Sequence, residues 1–214
     1  MTLLPQSEHM RRNMVDSQLR TSGVSAPWII AAMLAMPREV FVPGASSAVY
    51  MDRPFPLGGG RMLNPPLASG QMLMAAQPNA ADRVLLIGAG TGYLAALLIK
   101  RVASLVAVEE SAELADSFTA NLPNANLVRG AHNAGAADNA PFDLIIVDGA
   151  IAELPQTLIE QLSDGGRIVT GITDGPVSRL ATGVKRGSHL ALRTVADMEI
   201  APLPGFAHAK EFVF

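Results

Sequence analysis

The stretch RVLLIGAGTGYLAALLIK, residues 83–100, decides the fold. An apolar run of strand character leads into three alternating glycines, Gly88, Gly90 and Gly92, and then into an alanine- and leucine-rich segment of helical character. Glycine adopts positive φ and lets a ligand approach the backbone more closely than a Cβ would permit. The helix that follows presents unpaired N–H groups in its first turn. The stretch therefore predicts a strand, a turn and a helix, with a ligand bound at the turn.

Beyond residue 80 the chain alternates between short apolar runs and longer segments of helical pattern. Apolar and polar residues alternate too little in these runs for a sheet with one solvent-exposed face, which suits strands buried on both faces. The runs are RVLLIG, SLVAVEE, NANLVRG, FDLIIVDGA and GGRIVTGI. The segments TGYLAALLIKRV, SAELADSFTANL and LPQTLIEQLSD are long enough for crossover helices, and SHLALRTVADMEIAPLPGF is typical of two more strands. This order predicts an α/β fold with a doubly wound, mostly parallel seven-strand sheet of Rossmann-like type.

The first 80 residues predict a helical extension. Apolar residues at helical spacing in residues 14–43 indicate two short helices separated by Ser22 and Gly23, with Ser25 as a cap and Pro27 near the start of the second helix. Residues 54–76 predict a loop that leads into a helix. We expect one structural unit in two parts, with this extension (1–80) packed on a ligand-binding domain (81–214).

Composition excludes several classes of protein. The chain has 214 residues, of which 49% are hydrophobic and 16% charged, and its formal net charge of -3 lacks the basic excess of a nucleic-acid-binding protein. It has no cysteine, which excludes disulfides and thiolate catalysis, and its histidines lack metal-ligand spacing. The N-terminal residues lack signal-peptide character. We expect a cytoplasmic protein, monomer or homodimer, with no metal, nucleic acid or membrane partner.

The spacing of the glycines distinguishes two classes of nucleoside-binding enzyme. Glu109 lies 21 positions after Gly88, where an acidic residue at the end of the second strand binds ribose hydroxyls. A dinucleotide fingerprint requires glycine at position 93, but the chain has Tyr93 there and its third glycine at 92. The resulting pattern, G-x-G-x-G, resembles class I S-adenosylmethionine-dependent methyltransferases and disfavours a nicotinamide oxidoreductase.

Seven segments narrow the resemblance to one family. In order, VDSQLRTSGV, AMPREVFVP, PLGGGRMLNPP, VLLIGAGTGYLAALL, VAVEE, PFDLIIVDGA and QLSDGGRIV are similar to the protein-L-isoaspartate O-methyltransferases over residues 13–203. The resemblance implies S-adenosyl-L-methionine as cofactor and a protein or peptide substrate carrying an isoaspartyl carboxylate. Methylation of that carboxylate would allow a succinimide to form, which is a repair reaction.

The resemblance also implies which residues form the site. Those expected to bind the cofactor are Gly88, Ala89, Gly90, Thr91, Gly92, Tyr93, Glu109, Glu110, Ala131, His132 and Asp148. Those expected to bind the substrate lie mainly in an acceptor loop at residues 57–66 and are Leu57, Gly58, Gly60, Arg61, Met62, Leu63, Asn64, Pro65 and Gly149.

The acceptor loop departs from the family pattern. The family usually reads close to G-Q-T-I-S-Q-P, whereas this chain reads GRMLNPP, so that Met62, Asn64 and Pro65 replace threonine, serine and glutamine. Two hydroxyl groups expected to face the acceptor are lost. After the third strand of the Rossmann-like part, the family often has G-D-G near the adenine, and this chain has Gly130, Ala131 and His132.

Asn64 and Asp148 are the candidate catalytic residues. A carboxylate acceptor, with a pKa near ~4, is already ionised at neutral pH, so that alignment and exclusion of water suffice for methyl transfer. A charge on Asp148 would repel such an acceptor and would better suit an amine or hydroxyl, unless Asp148 and Gly149 form only a strand-ending turn. Arg61 could offset the charge by pairing with the acceptor. The alternatives are a methyltransferase for another acceptor, including a small molecule, or a cofactor-binding module with little activity.

Overall fold

A computed structural model describes residues 6–175 and 177–206. Its N-terminal part is helical: α1 (Gln6–Asn13) continues into a π-helical turn (Met14–Leu19) and a 3₁₀ turn (Arg20–Ser22), and α2 spans Pro27–Ala35. The predicted break between the helices is confirmed, because Gly23 has a φ of 84°. Further 3₁₀ turns span Arg38–Phe41, Pro43–Ala45 and Ser47–Tyr50.

The predicted cap of the second helix is wrong by one residue. Ala26, and not Ser25, is the N-cap of α2, and no side chain caps the helix. Pro27 occupies the first helical position, where its missing N–H costs nothing and its fixed φ suits the helix. The entry of α2 is therefore fixed by proline geometry instead of a serine hydrogen bond.

The segment between the N-terminal helices and the sheet contains a hairpin. Strands β1 (Phe55–Gly58) and β2 (Arg61–Leu63) pair antiparallel and form a separate two-stranded sheet. Helix α3 (Pro66–Ala76) follows directly, so the helix was predicted correctly, whereas the hairpin was expected to be a loop.

The main sheet has seven strands in the spatial order β5-β4-β3-β6-β7-β8-β9. Strands β3 to β7 are parallel, and β8 runs antiparallel to both of its neighbours. The predicted doubly wound, mostly parallel sheet is confirmed. The strands span Arg83–Ile87 (β3), Ser104–Glu109 (β4), Asn126–Arg129 (β5), Phe142–Ile151 (β6), Leu162–Asp174 (β7), Val177–Arg186 (β8) and His189–Asp197 (β9), and the helices span Tyr93–Leu98 (α4), Ala112–Asn121 (α5) and Gln156–Glu160 (α6).

The prediction of two strands in residues 188–206 is wrong. That segment contains only β9, and the other strand, β8, lies before it and joins it by a turn at Gly187. Residues 199–206 instead cross the carboxyl edge of the sheet: the N–H of Ala150 donates to the carbonyl of Ala201, and the N–H of Leu203 donates to the carbonyl of Ala150. This crossing segment becomes part of the site.

The sheet is covered on both faces. In β3, Val84 and Leu86 pack into the cluster formed with the N-terminal helices and α4, while Leu85 and Ile87 pack into the cluster on the opposite face. This explains why the strand sequences are continuously apolar. None of the helices in the described ranges combines the length and apolar character needed to span a bilayer.

A partly buried ion pair joins α3, β3 and β7 at the end of the sheet opposite the site. The guanidinium of Arg167 binds the carboxylate of Asp82, which is 5% exposed, and donates to the carbonyls of Ala76 and Gln77 at 2.9 and 3.0 Å. Asp82 also accepts from the backbone N–H of Asn79 at 2.9 Å. The pair therefore fixes the entry into the central strand.

We expect Asp82→Ala to lower the free energy of unfolding by about 3 kcal/mol, because it leaves the guanidinium of Arg167 without its partner. The matched control is Asp116→Ala, which removes the carboxylate of the Asp116–Arg129 surface pair, whose side chains are 72% and 50% exposed. That variant should lose less than about 1 kcal/mol. Urea unfolding measures both values, and equal losses would contradict the structural role of Asp82.

Candidate active site

The glycine turn lies between β3 and α4 at the carboxyl edge of the sheet. Gly88, Gly90 and Gly92 have φ values of 74°, 56° and 100°, which L side chains rarely adopt. A Cβ on Gly88 would lie 2.8 Å from the side chain of Leu203, and a Cβ on Gly90 would lie 3.3 Å from Leu57. Glycine is therefore required both by the backbone conformation and by side chains that cover the turn.

The carboxylate of Glu109 faces this turn from the end of β4. It accepts hydrogen bonds from the backbone N–H groups of Gly90, Glu110 and Ser111 at 2.7, 3.1 and 3.0 Å. The Nη1 of Arg61 donates to both of its oxygens, at 2.8 and 3.0 Å. Glu109 is fully buried and Arg61 is 5% exposed. Arg61 thus pairs with the predicted ribose-binding carboxylate in this structure.

The network of donors lowers the pKa of Glu109. Burial by itself raises the pKa of this carboxyl, but contact with His132, the charge of Arg61 and the N–H groups of Ser111 and Gly90 outweigh burial and hold the pKa at about 2. The carboxylate is therefore ionised at neutral pH, and hydrogen-bond donors surround both of its oxygens.

His132 completes the wall beside Glu109. Its Nε2 lies 3.2 Å from the backbone nitrogen of Glu110, and its Nδ1 lies 3.0 Å from the carbonyl oxygen of Pro204. The ring stacks on Phe206 with centroids 6.5 Å apart. Its neighbour Ala131 is exposed.

Asp148 lies inside β6, so the alternative of a strand-ending turn is wrong. It falls in the irregular stretch of pairing between Ile146 and Ala150. The Nδ2 of Asn64 donates to its carboxylate at 2.6 Å, and the Oδ1 of Asn64 accepts from the backbone N–H of Ala201 at 2.8 Å. Asn64 therefore joins the acceptor loop to β6 and to the crossing segment.

The environment of Asp148 disfavours its charge. Burial raises the pKa of this carboxyl, and the hydrogen bond from Asn64 and the charges of Arg61 and Arg38 only partly offset the effect. The two candidate catalytic residues are thus in contact, and one of them is a carboxyl group with a raised pKa.

Arg38 belongs to the site and was missed by sequence reasoning. Its side chain is fully buried, donates from Nε to the carbonyl of Val49 at 3.0 Å, and binds the carbonyl of Asn64. It lies 4.6 Å from the ring centroid of Tyr93. Neither the Arg38 Nη1 nor the Tyr93 hydroxyl has a hydrogen-bond partner among the described residues. The available signal was the charged pair Arg38–Glu39 within the otherwise apolar segment AMPREVFVP, because a buried charge must be paired.

The crossing segment, residues 199–206, was also missed. The side chain of Leu203 fills the space over Gly88, and it lies 2.6 Å from where a Cβ on Gly149 would be. The strand-like pattern of this segment hid its role, although Pro202, Pro204 and Gly205 break that pattern.

The structure separates the remaining predicted residues into two groups. Some contact the turn or the acceptor loop: Leu57, Leu63 and Pro65 are buried there, and Ala89 lies within the turn. Two others point away from the turn: the Thr91 hydroxyl donates to the carbonyl of Phe41 at 2.6 Å, and Tyr93 begins α4 and faces Arg38. The rest lie at or near the surface. Met62 is half-buried, the Glu110 carboxylate is 48% exposed, and Gly58 and Gly60 lie in the exposed hairpin tip.

Comparison with known proteins identifies the family. The sequence pattern of the family described as protein-L-isoaspartate(D-aspartate) O-methyltransferase (PCMT) matches residues 10–205. The chain belongs to this family. A protein-L-isoaspartate O-methyltransferase of Koribacter versatilis is 36% identical over 91% of this chain and 90% of its own length. Another from Methanoregula boonei is 34% identical over 95% of this chain and 96% of its own length.

Solved structures of PCMT proteins share the fold. One protein-L-isoaspartate O-methyltransferase superposes with a TM-score of 0.79 at 25% identity, over 91% of this chain and 66% of that chain. A Plasmodium falciparum protein described as a PCMT, solved in complex with S-adenosyl-L-homocysteine, gives a TM-score of 0.75 at 16% identity, over 94% of this chain and 100% of that one. The seven-strand sheet of this chain and its N-terminal helices therefore have the fold of the PCMT structures.

The depressed pKa of Glu109 predicts a loss of stability in acid. Its ordinary value is 4.5 and its value in the fold is about 2, so its contribution to stability is complete above pH 4.5 and is lost as the pH falls toward 2. We expect Glu109→Gln to have a lower free energy of unfolding than the wild type at pH 7. At pH 3 this deficit should be smaller by about 2 kcal/mol. Urea unfolding at both pH values measures this difference.

The control for that prediction is Glu113→Gln, which changes an exposed carboxylate near the start of α5. Its free energy of unfolding should stay within about 0.5 kcal/mol of the wild type at both pH values. If the deficit of Glu109→Gln is the same at pH 7 and pH 3, the Glu109 network does not govern the acid response.

Proposed function

We propose that this chain transfers a methyl group from S-adenosyl-L-methionine to the carboxylate of an isoaspartyl residue in a protein or peptide. The observation that carries the proposal is the buried, ionised Glu109 beside the N–H of Gly90, in a chain of the PCMT family. Relatives at 34–36% identity over most of their length carry the name of this activity. A cytoplasmic location and a monomeric or homodimeric state remain predictions.

The residues at the turn fit the cofactor. Both oxygens of Glu109 accept from the Nη1 of Arg61, and the two adjacent hydroxyls of a ribose would be able to donate to the same two oxygens. Gly88 and Gly90 lack the Cβ atoms that would keep a ligand from the backbone. These glycines and Glu109 would hold the nucleoside, and His132 would lie beside it.

The chemistry needs positioning more than proton transfer. When bound, S-adenosyl-L-methionine supplies an electrophilic methyl group on a sulfonium. An isoaspartyl carboxylate is ionised at neutral pH, so the protein has to align it and exclude water. Asn64 acts as a positioning residue, because its amide binds both Asp148 and the crossing segment at Ala201. The buried guanidinium of Arg38 fixes the backbone of Asn64 in turn.

The activity is tested with an isoaspartyl peptide and its aspartyl twin, using tritiated S-adenosyl-L-methionine. We expect label to appear on the isoaspartyl peptide and not on the aspartyl peptide. Gly90→Val is the inactive control, because φ at this position is 56° and a branched side chain would fill the space that the cofactor would occupy at the turn. Binding of S-adenosyl-L-homocysteine without transfer to either peptide would contradict the isoaspartyl assignment.

One observation favours a second candidate, a methyltransferase with another acceptor. Asp148 lies in contact with the acceptor loop through Asn64, and a carboxylate there would repel a carboxylate acceptor when charged. An amine or hydroxyl acceptor would instead find a hydrogen-bond acceptor in Asp148. A small-molecule substrate is compatible with this arrangement.

Asp148→Asn separates the two candidates. If the acceptor is an isoaspartyl carboxylate, removal of the charge should raise kcat/KM on the isoaspartyl peptide roughly 5- to 30-fold, which corresponds to about 1 to 2 kcal/mol of repulsion. Asp138→Asn makes the same change at an exposed position and should leave kcat/KM unchanged. A loss of activity in Asp148→Asn, together with wild-type transfer to an amine or hydroxyl compound, would support the second candidate.

A further inference from the structure

The guanidinium of Arg61 occupies the position at Glu109 that the cofactor requires. Besides its two bonds to Glu109, it donates from Nη2 to the carbonyl of Gly88 at 3.2 Å, and its Nη1 lies 3.3 Å from the Nε2 of His132. Within the described part of the chain, all of its hydrogen-bond contacts are therefore with groups that would hold the nucleoside. Because the carboxylate cannot bind both partners through the same oxygens, the two must exchange.

We propose that Arg61 is an internal competitor of the cofactor, and that hairpin β1–β2 must release Glu109 before S-adenosyl-L-methionine binds. The inference rests on the proposed function, since it places the cofactor at the glycine turn. It goes beyond that function by assigning Arg61 to control of cofactor affinity. In this closed arrangement the loop that covers the acceptor side also closes the nucleoside side.

The hairpin is separate from the main sheet. Among the described residues, β1 and β2 pair with each other and with no strand of the main sheet, so no strand pairing of that sheet has to break when Arg61 leaves Glu109. Gly58, Gly59 and Gly60 form its exposed tip, and no heavy atom of the described residues lies within 4 Å of where a Cβ on Gly59 or Gly60 would be. Leu57, which covers Gly90, belongs to the same hairpin. Its displacement therefore clears Glu109 and Gly90 together.

The closed arrangement satisfies Arg61 only in part. Its Nε is buried and has no hydrogen-bond partner among the residues that the structure describes. A buried donor left without a partner lowers the gain from the ion pair. The closed state is thus held by a strong but incomplete set of contacts. A ligand whose hydroxyl groups donate to Glu109 can therefore replace Arg61.

The competition has a measurable consequence for affinity. The apparent dissociation constant of a ligand rises in inverse proportion to the fraction of protein in the binding-competent state. Removing the charge of Arg61 while keeping a side chain of similar polarity raises that fraction. We expect Arg61→Gln to bind S-adenosyl-L-homocysteine roughly 10- to 100-fold more tightly than the wild type, the range set by loss of hydrogen bonds to a charged group.

Isothermal titration with S-adenosyl-L-homocysteine tests this expectation. Arg61→Lys keeps the charge but offers a single ammonium in place of the fork, so its affinity should lie between those of the wild type and Arg61→Gln. Arg53→Gln is the matched control, because Arg53 is exposed just before β1, and its affinity should stay within about twofold of the wild type. Thermal unfolding with and without the ligand shows that each variant is folded.

A second measurement follows Arg61 in the wild type without relying on affinity. Phenylglyoxal modifies exposed arginines, and peptide mass spectrometry locates the adducts. Arg61 should be protected without ligand, because it is 5% exposed, and should become modified with saturating S-adenosyl-L-homocysteine. Arg53 should react equally under both conditions, and the fully buried Arg38 should stay unmodified under both.

The outcomes separate this inference from the proposed function. Tighter binding by Arg61→Gln, with ligand-dependent modification of Arg61, supports competition. Unchanged or weaker binding by Arg61→Gln, or protection of Arg61 in the presence of ligand, overturns it while cofactor binding by the wild type stands. If neither the wild type nor Arg61→Gln binds S-adenosyl-L-homocysteine, both the inference and the assignment of the cofactor to this turn are overturned.

Discussion

The buried carboxylate of Glu109 is the constraint on which the arrangement of the site depends. A buried charge is costly unless donors surround it, and here the donors come from separate parts of the chain. The N–H groups of Gly90, Glu110 and Ser111 are fixed by the turn and by the start of α5, whereas the guanidinium of Arg61 belongs to a two-stranded hairpin. The carboxylate thereby connects the hairpin to the glycine turn and to the main sheet.

The glycines of the turn serve packing within the chain as well as ligand access. Leu203 lies against Gly88 and Gly149, and Leu57 lies against Gly90, so residues distant in sequence depend on the missing Cβ atoms. A Cβ on Gly92 would meet Leu122 at 2.9 Å and Phe118 at 3.1 Å, which couples the turn to α5. The turn is therefore a junction of the crossing segment, the hairpin and the sheet.

The acceptor side is organised by polar groups that share one amide. Asn64 donates to Asp148 and accepts from Ala201, while its own carbonyl receives Arg38. A carboxyl with a raised pKa, a buried guanidinium and the crossing segment thus meet at one residue of the acceptor loop.

The sequence by itself determined the parallel sheet, the glycine turn and the position of Glu109, because continuous apolar runs and the G-x-G-x-G spacing are local patterns with few alternative structures. It also predicted an acceptor loop at residues 57–66. Only the tertiary structure decided what those residues contact: Arg61 faces Glu109, and the crossing segment at Leu203 closes the edge where a strand was expected. Such contacts join residues that are separated by many positions in the sequence. Which residues meet depends on which buried charges need a partner and which spaces need to be filled, and no local sequence pattern contains that information.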